Sequence, residues 1–417
     1  MRSRAYAGAF VSVFKETLGS HLAGLSGIVA GLIVAWQLGV FRKSPAFPWV
    51  FALYPAVLTA EIVLTGIFSG RLNTALHVGT ISPRFGGNMR KLGLLLHRVL
   101  TLTLATSVVM ASVSALLIGV TWGLPLGFRD FLEILAVIVA TMSLGLIHYL
   151  VVLPVTFAVF KRGADLDSVA LPIAGTIADV FITVCYALTI SLFLNFGGLG
   201  KYAVMIIAVL AVILMLVFLP LSFSEEGFSK AVKNSIPGLL LMSAIASFTG
   251  TVLQQINVGV DVWNKNIAFH PLTLFVAYPA VIELVGDAAL VIGSTATTRL
   301  VLGLLGPHFS AMNNHIRQIL GAWAASVIMF IPYSAVSLLV AGTLKLPEFY
   351  LLTSILLLTN VFAIITMTLI SYAFAILTFK KGLDPDHFVN PLVISLAGTM
   401  ATVALLAASF LLLSLRA

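Results

Sequence analysis

Charge is what this sequence has least of. Only 9 % of its 417 residues are Asp, Glu, Lys or Arg, too few to cover a soluble domain of this length. It has one cysteine, Cys185, set in an apolar run, which excludes a disulfide framework within the chain and any metal site built on several thiolates. It contains no Walker A run, no G-x-S-x-G elbow and no H-E-x-x-H pair, so it does not read as an enzyme and nothing suggests an ATPase. Gly86-Gly87-Asn88 reads as a turn, not a nucleotide cradle. The opening segment carries Arg2, Arg4 and Lys15 but no small-residue cleavage pattern. It is expected to be an amphipathic lead-in with the first span retained, which makes a plasma membrane the default location.

What is present is apolar. Hydrophobic residues make up 60 % of the chain and the mean hydropathy is +1.11. Apolar runs of about 20 residues, enough to cross a bilayer, recur throughout. Eleven spans are predicted, at roughly 21–41, 48–70, 93–121, 131–160, 169–196, 202–223, 236–256, 271–293, 311–342, 349–379 and 390–415. The fold class expected is an all-α polytopic membrane protein, and the bilayer is its first partner. With the N-terminus in the cytoplasm, 16 of the 23 Lys and Arg fall on the cytoplasmic side, as the positive-inside rule requires. The net charge of +8 therefore orients helices and does not point to nucleic acid.

The chain also repeats itself. Tyr54-Pro55-Ala56-Val57 recurs as Tyr278-Pro279-Ala280-Val281, each followed by a second proline, Pro83 or Pro307, at the same distance. Lys161-Arg162-Gly163-Ala164-Asp165-Leu166-Asp167 recurs as Lys380-Lys381-Gly382-Leu383-Asp384-Pro385-Asp386, again with a proline, Pro172 or Pro391, at matching distance. Two five-helix repeats are expected, 1–200 and 226–417, joined by a linking transmembrane helix at 201–225. An odd number of spans per copy plus that extra helix makes the copies parallel, with a pseudo-twofold axis along the membrane normal. Because the repeat is fused, a monomer can supply both halves.

Four acids fall inside apolar spans: Glu61, Asp179, Glu283 and Asp287. An ionised side chain there costs about 2.5–3.5 kcal/mol on insertion scales, and such residues usually face a partner or a water-filled path. Glu283 and Asp287 are four residues apart, on one helix face. Like charges at that spacing suit a bound cation or a shared proton, and hard divalent cations prefer oxygen ligands. Asp179 follows Pro172 and Gly175, which loosen the helix. The second copy has Asn390 before its proline and a glycine, Gly398, in place of the acid. A shared site would take Asp179 from one copy and Asn390 from the other; a helix cap is the other role open to Asn390. His148 reads as an interior histidine with satisfied hydrogen bonds. Asp165, Asp167, Asp384 and Asp386 read as solvated turns.

These residues resemble the membrane domain of the MgtE-type magnesium transporters and their duplicated solute-carrier relatives. In that family the second helix of the unit carries a proline followed eight residues later by the Asn of a Gly-Gly-Asn run. Here Pro279 is followed by Gly286-Asp287, with Asp in place of Asn; in the first copy the position is Val63. The fifth helix carries Asn-Pro-Leu and then Thr-x-x-Asp. The matching residues are Pro172, Thr176 and Asp179 in the first copy, and Asn390, Pro391, Leu392 and Ser395 in the second. The resemblance implies that Asp179 helps hold a hydrated Mg²⁺ and that Gly175 offers a backbone ligand.

The expected function is transmembrane transport of divalent cations, Mg²⁺ first, through a carboxylate-lined site on the pseudo-twofold axis. The metal-site residues are Asp287, Glu283, Asp179, Glu61, Asn390 and Gly175. The cation is cargo, and no cofactor is expected. The extra acids also permit a counter-transported H⁺ or Na⁺. The alternative is a proton- or Na⁺-coupled secondary transporter of an organic solute.

Overall fold

A backbone in hydrocarbon must satisfy its own N–H and C=O groups, so apolar runs of bilayer length fold as helices. The computed structural model describes residues 2–25, 27–41, 47–84, 89–122, 127–163, 166, 170–223, 241–256, 272–382 and 385–414. Among these, thirteen α-helices and no strands are found. They are α1 (Arg2–Gly24), α2 (Gly27–Phe41), α3 (Phe47–His77), α4 (Met89–Trp122), α5 (Phe128–Gly145), α6 (Tyr149–Lys161), α7 (Leu171–Asn195) and α8 (Gly197–Phe223). They continue with α9 (241–256), α10 (Leu272–Val301), α11 (Ile316–Val340), α12 (Leu346–Lys381) and α13 (Pro385–Ser414). Helices α5 and α6 form one long span broken by a 3₁₀ turn at Leu146–His148.

Nine helical stretches among the described residues are long and apolar enough to cross a membrane, and a bent pair in α1 and α2 brings the total to ten. The chain is therefore a polytopic helical membrane protein. Of the predicted span 236–256, residues 241–256 are described and are helical throughout. Helix α8 shows what surrounds the protein. Its most apolar stretch has a hydropathy of 3.1, yet only 17 % of it is buried. Ile206, Leu210, Ile213 and Val217 all lie on its exposed surface. Water would not tolerate such a helix, whereas lipid tails match it.

Contacts divide the chain into two compact units, 36–251 and 1–35 with 252–417. In the first, α3 packs on α4 and α7, and α5 on α4, α7 and α8. Its core includes Phe68, Leu72, Val99, Tyr149, Leu153 and Phe157. In the second, α10 is packed by α1, α11, α12 and α13. These units are drawn differently from the sequence copies. The start of α2 lies with the second copy's helices, where a Cβ on Gly31 would come within 1.9 Å of the Val276 carbonyl oxygen in α10. The start of α9 lies with the first copy's helices, where a Cβ on Gly250 would come within 1.7 Å of the Ala52 carbonyl oxygen in α3. Only glycine permits either approach.

The repeated motifs have repeated geometry. Pro55 and Pro279 both lie inside their helices, α3 and α10. Tyr54 Oη is 3.0 Å from Thr183 Oγ1 in α7, and Tyr278 Oη is 3.0 Å from Thr402 Oγ1 in α13. Helix α3 ends at Gly79 (φ +73°) and α10 at Gly303 (φ +67°). The closing bonds also correspond: Gly79 N to Leu76 O and Thr80 N to Ala75 O in one, Gly303 N to Leu300 O and Leu304 N to Arg299 O in the other. Glycine takes this left-handed conformation without the clash that a Cβ brings.

Candidate functional site

The predicted acids fall into two groups, one in each unit. In the unit 36–251, Glu61 lies on α3 and is fully buried. Its Oε1 is 3.0 Å from Nδ1 of His148, which is also fully buried. The 3₁₀ turn between α5 and α6 carries that histidine, and a mid-helix break of this kind often accompanies a functional position. His148 Nδ1 is 2.7 Å from the Gly145 carbonyl and Nε2 is 2.9 Å from Thr65 Oγ1. A carbonyl only accepts, so Nδ1 carries a hydrogen. Neither Glu61 oxygen receives a hydrogen bond among the described residues.

Asp179 lies on the neighbouring helix α7, buried at 2 % exposure. Gly175, one turn earlier, is half-buried. Helices α3 and α7 are in contact and are fastened by Tyr54–Thr183 and by Tyr186 Oη donating to the Val50 carbonyl. The backbone that presents Glu61 and Asp179 is thus held on both sides.

In the other unit, Glu283 and Asp287 lie one turn apart on α10, both half-buried. They face the break between α1 and α2. Ser20 Oγ donates to Asp287, and His21 Nδ1 is 3.6 Å from Asp287 Oδ2. The His21 ring reaches Ser326 Oγ at 3.0 Å, and its carbonyl accepts from Tyr333 Oη at 2.6 Å. A Cβ on Gly24 would come within 3.1 Å of the Glu283 carboxyl. The chain break therefore leaves room beside that acid. Asp287, with a side chain 23 % exposed, is more reachable than Glu61 or Asp179.

The sequence had marked the four acids and His148, but not Ser20, His21 or Tyr333. His21 ends what looked like a plain lead-in helix, and its one signal was an ionisable group at the edge of an apolar run. The side chains of Asn390, Pro172, Pro391 and Asp386 lie outside the described residues, as do Gly86, Gly87, Asn88, Asp165, Asp167 and Asp384. Among the described residues no three His, Cys, Asp or Glu side chains gather as a metal-holding group.

Buried carboxylates on helices of bilayer length, paired with imidazoles or hydroxyls, are the equipment of membrane transport proteins. Comparison narrows the class. Residues 54–189 match the family model MgtE, described as divalent cation transporter. That stretch runs from α3 to α7 and is of the MgtE type. It contains Glu61, His148, Gly175 and Asp179. No curated protein and no solved structure matches the chain.

Proposed function

We propose that this protein carries divalent cations, Mg²⁺ first, across a plasma membrane with its N-terminus in the cytoplasm, using the carboxylates buried in its spans. The supporting observation is that the stretch matching a divalent cation transporter family holds two of them, Glu61 and Asp179, nearly or fully out of solvent. Mg²⁺ sheds water reluctantly and is usually held by one or two carboxylates, with waters completing its shell. Sparse acids suit such an ion better than a closed cage of side chains. Asp287 and Glu283 would serve the same cargo in the other unit, and the Gly175 carbonyl and Asn390 would add neutral oxygens.

The test is Mg²⁺ uptake into liposomes containing the full chain, followed with a Mg²⁺-sensitive dye. Glu61→Gln and Asp179→Asn keep the shape and remove the charge. Each is expected to slow uptake at least about tenfold, equivalent to about 1.4 kcal/mol. Unchanged uptake in both would sink the carboxylate site.

A second reading keeps the acids as proton carriers and changes the cargo to an organic solute. The contact between Glu61 and His148 favours it. Solute uptake driven by a pH gradient and indifferent to Mg²⁺ would establish it.

A further inference from the structure

We infer that the unit 36–251 holds a site for an anionic phospholipid, in a cavity whose rim carries Arg84 and Lys161 and whose wall is an apolar face of α6. The site is independent of which ion the protein carries.

The cavity measures about 420 Å³ and is lined by Pro83, Arg84, Pro154, Phe157, Ala158 and Lys161. That volume falls among small-molecule sites, about 300–1,000 Å³. One side is the turn that follows α3, and the other is the last two turns of α6. The two sides are fixed against each other. Ile81, two residues before Pro83, shares a buried core with Phe157. The His77 ring at the end of α3 meets Phe160 edge-on, with centroids 5.6 Å apart. Walls held in this way need not be ordered by the ligand, which lowers the cost of binding.

The rim is positive. Arg84 and Lys161 are both exposed, and no acidic side chain lines the cavity among the described residues. Lys91 donates to the Thr80 carbonyl at 3.0 Å, four residues ahead of Arg84, and Arg162 follows Lys161. Ammonium and guanidinium groups both donate to phosphate oxygens, and a guanidinium can offer two N–H groups at once.

The wall is apolar and runs on into the bilayer. Pro154, Ala158 and Lys161 recur at spacings of four and three, which puts them on one face of α6. Earlier on that face come Ile147, Leu150 and Val151, which are 53, 67 and 38 % exposed, within a span of membrane-crossing length. One stripe thus leads from lipid-facing side chains to two cations. A free phosphate has no use for the stripe. A phospholipid fits both ends, with its acyl chain along Leu150 and Pro154 and its phosphate at Arg84 and Lys161. Basic pockets at the membrane boundary bind acidic headgroups in this manner.

The other copy differs at these positions. His308 stands in place of Arg84, Ala373 in place of Pro154 and Ile376 in place of Phe157. The His308 ring lies 2.7 Å from Ser310 Oγ, and Ile376 is buried with Leu305 and Ala311. Lys380 and Lys381 keep the charge of Lys161 and Arg162, and so provide an internal control.

The experiment measures binding of fluorescently labelled phosphatidylglycerol to the full chain in a neutral detergent, followed by anisotropy. Unlabelled phosphatidylglycerol, phosphatidylcholine and glycerol 3-phosphate are the competitors. Arg84→Gln with Lys161→Gln removes the rim charge. Ala158→Trp fills the cavity and leaves that charge. Lys380→Gln with Lys381→Gln removes the same charge from the other copy. All the replaced side chains are exposed, so each variant is expected to fold. Expected is saturable binding displaced by phosphatidylglycerol and not by the other two competitors. The rim variant should weaken it about 30-fold, about fivefold for each cation. Ala158→Trp should weaken it about tenfold or more, and the control pair should leave it unchanged. Equal weakening by both double variants would reduce the effect to general surface charge and overturn the site. Binding unmoved by Ala158→Trp would place the lipid outside the cavity. Displacement by glycerol 3-phosphate as readily as by the lipid would make this a free-anion site and overturn the lipid assignment.

Discussion

Tyr54 and Thr183 share a buried 3.0 Å hydrogen bond between α3 and α7, and Tyr278 and Thr402 reproduce it at the same length between α10 and α13. Each bond ties the helix that carries a Tyr-Pro-Ala-Val run to a later helix of the same compact unit. Tyr54→Phe and Tyr278→Phe remove only the hydroxyl. Each is expected to cost about 1 kcal/mol, as loss of a buried hydrogen bond does. Thermal unfolding in detergent checks it. Adding Thr183→Val to Tyr54→Phe should cost little more than the single change, because the two groups share one interaction.

The glycine contacts give a sharper contrast. Gly31→Ala would drive a methyl group into the Val276 carbonyl, and Gly250→Ala into the Ala52 carbonyl. Both should destabilise the protein by several kcal/mol or prevent its accumulation, because backbone cannot move aside as a flexible side chain does. Gly66→Ala and Gly70→Ala meet open space inside α3, so each is expected to be neutral or to stabilise by up to about 1 kcal/mol. Expression and thermal unfolding of the four variants test the contacts directly.

His315 supplies a pH dependence. It sits in the connection just ahead of α11, fully buried, with Nε2 3.1 Å from Thr295 Oγ1. Burial and then the nearby Arg299 guanidinium push its pKa down from 6.5 to about 4. With its amide oriented to satisfy both neighbours, Gln318 accepts from Arg299 Nη1 at 2.7 Å and donates to the His315 carbonyl at 3.0 Å, fixing that arrangement. The unfolded chain takes up this proton near pH 6.5 and the folded one only near 4. The group's contribution is therefore whole above 6.5 and is lost as the pH falls towards 4. Unfolding followed from pH 7.5 to 4.5 should show a steeper loss in wild type than in His315→Asn, the difference amounting to at most about 3 kcal/mol.

Much of this architecture was legible beforehand because membrane folding leaves few options. A run such as Gly197–Pro220 can only be a helix, and one so uniformly apolar has to face lipid. Tyr-Pro-Ala-Val occurs twice in the sequence, and the helices that carry it, α3 and α10, are both followed by a left-handed glycine, Gly79 and Gly303. The four acids announced themselves by their cost. Their partners did not. That His148 would meet Glu61 depends on a 3₁₀ turn inside a long span, which hydropathy cannot register. That His21 would lie beside Asp287 depends on α1 packing against α10, a contact between residues 266 positions apart. Sequence spacing identifies neighbours along one helix, while partners from other helices are set by packing.

The placement of α1 bears on the order in which the chain can be assembled. Residues 1–35 belong to the same compact unit as 252–417, where α1 packs on α10 and α11. The helix that is made first therefore meets its partners only after more than half of the chain has followed it, and that unit stays open until the two ends of the sequence have come together.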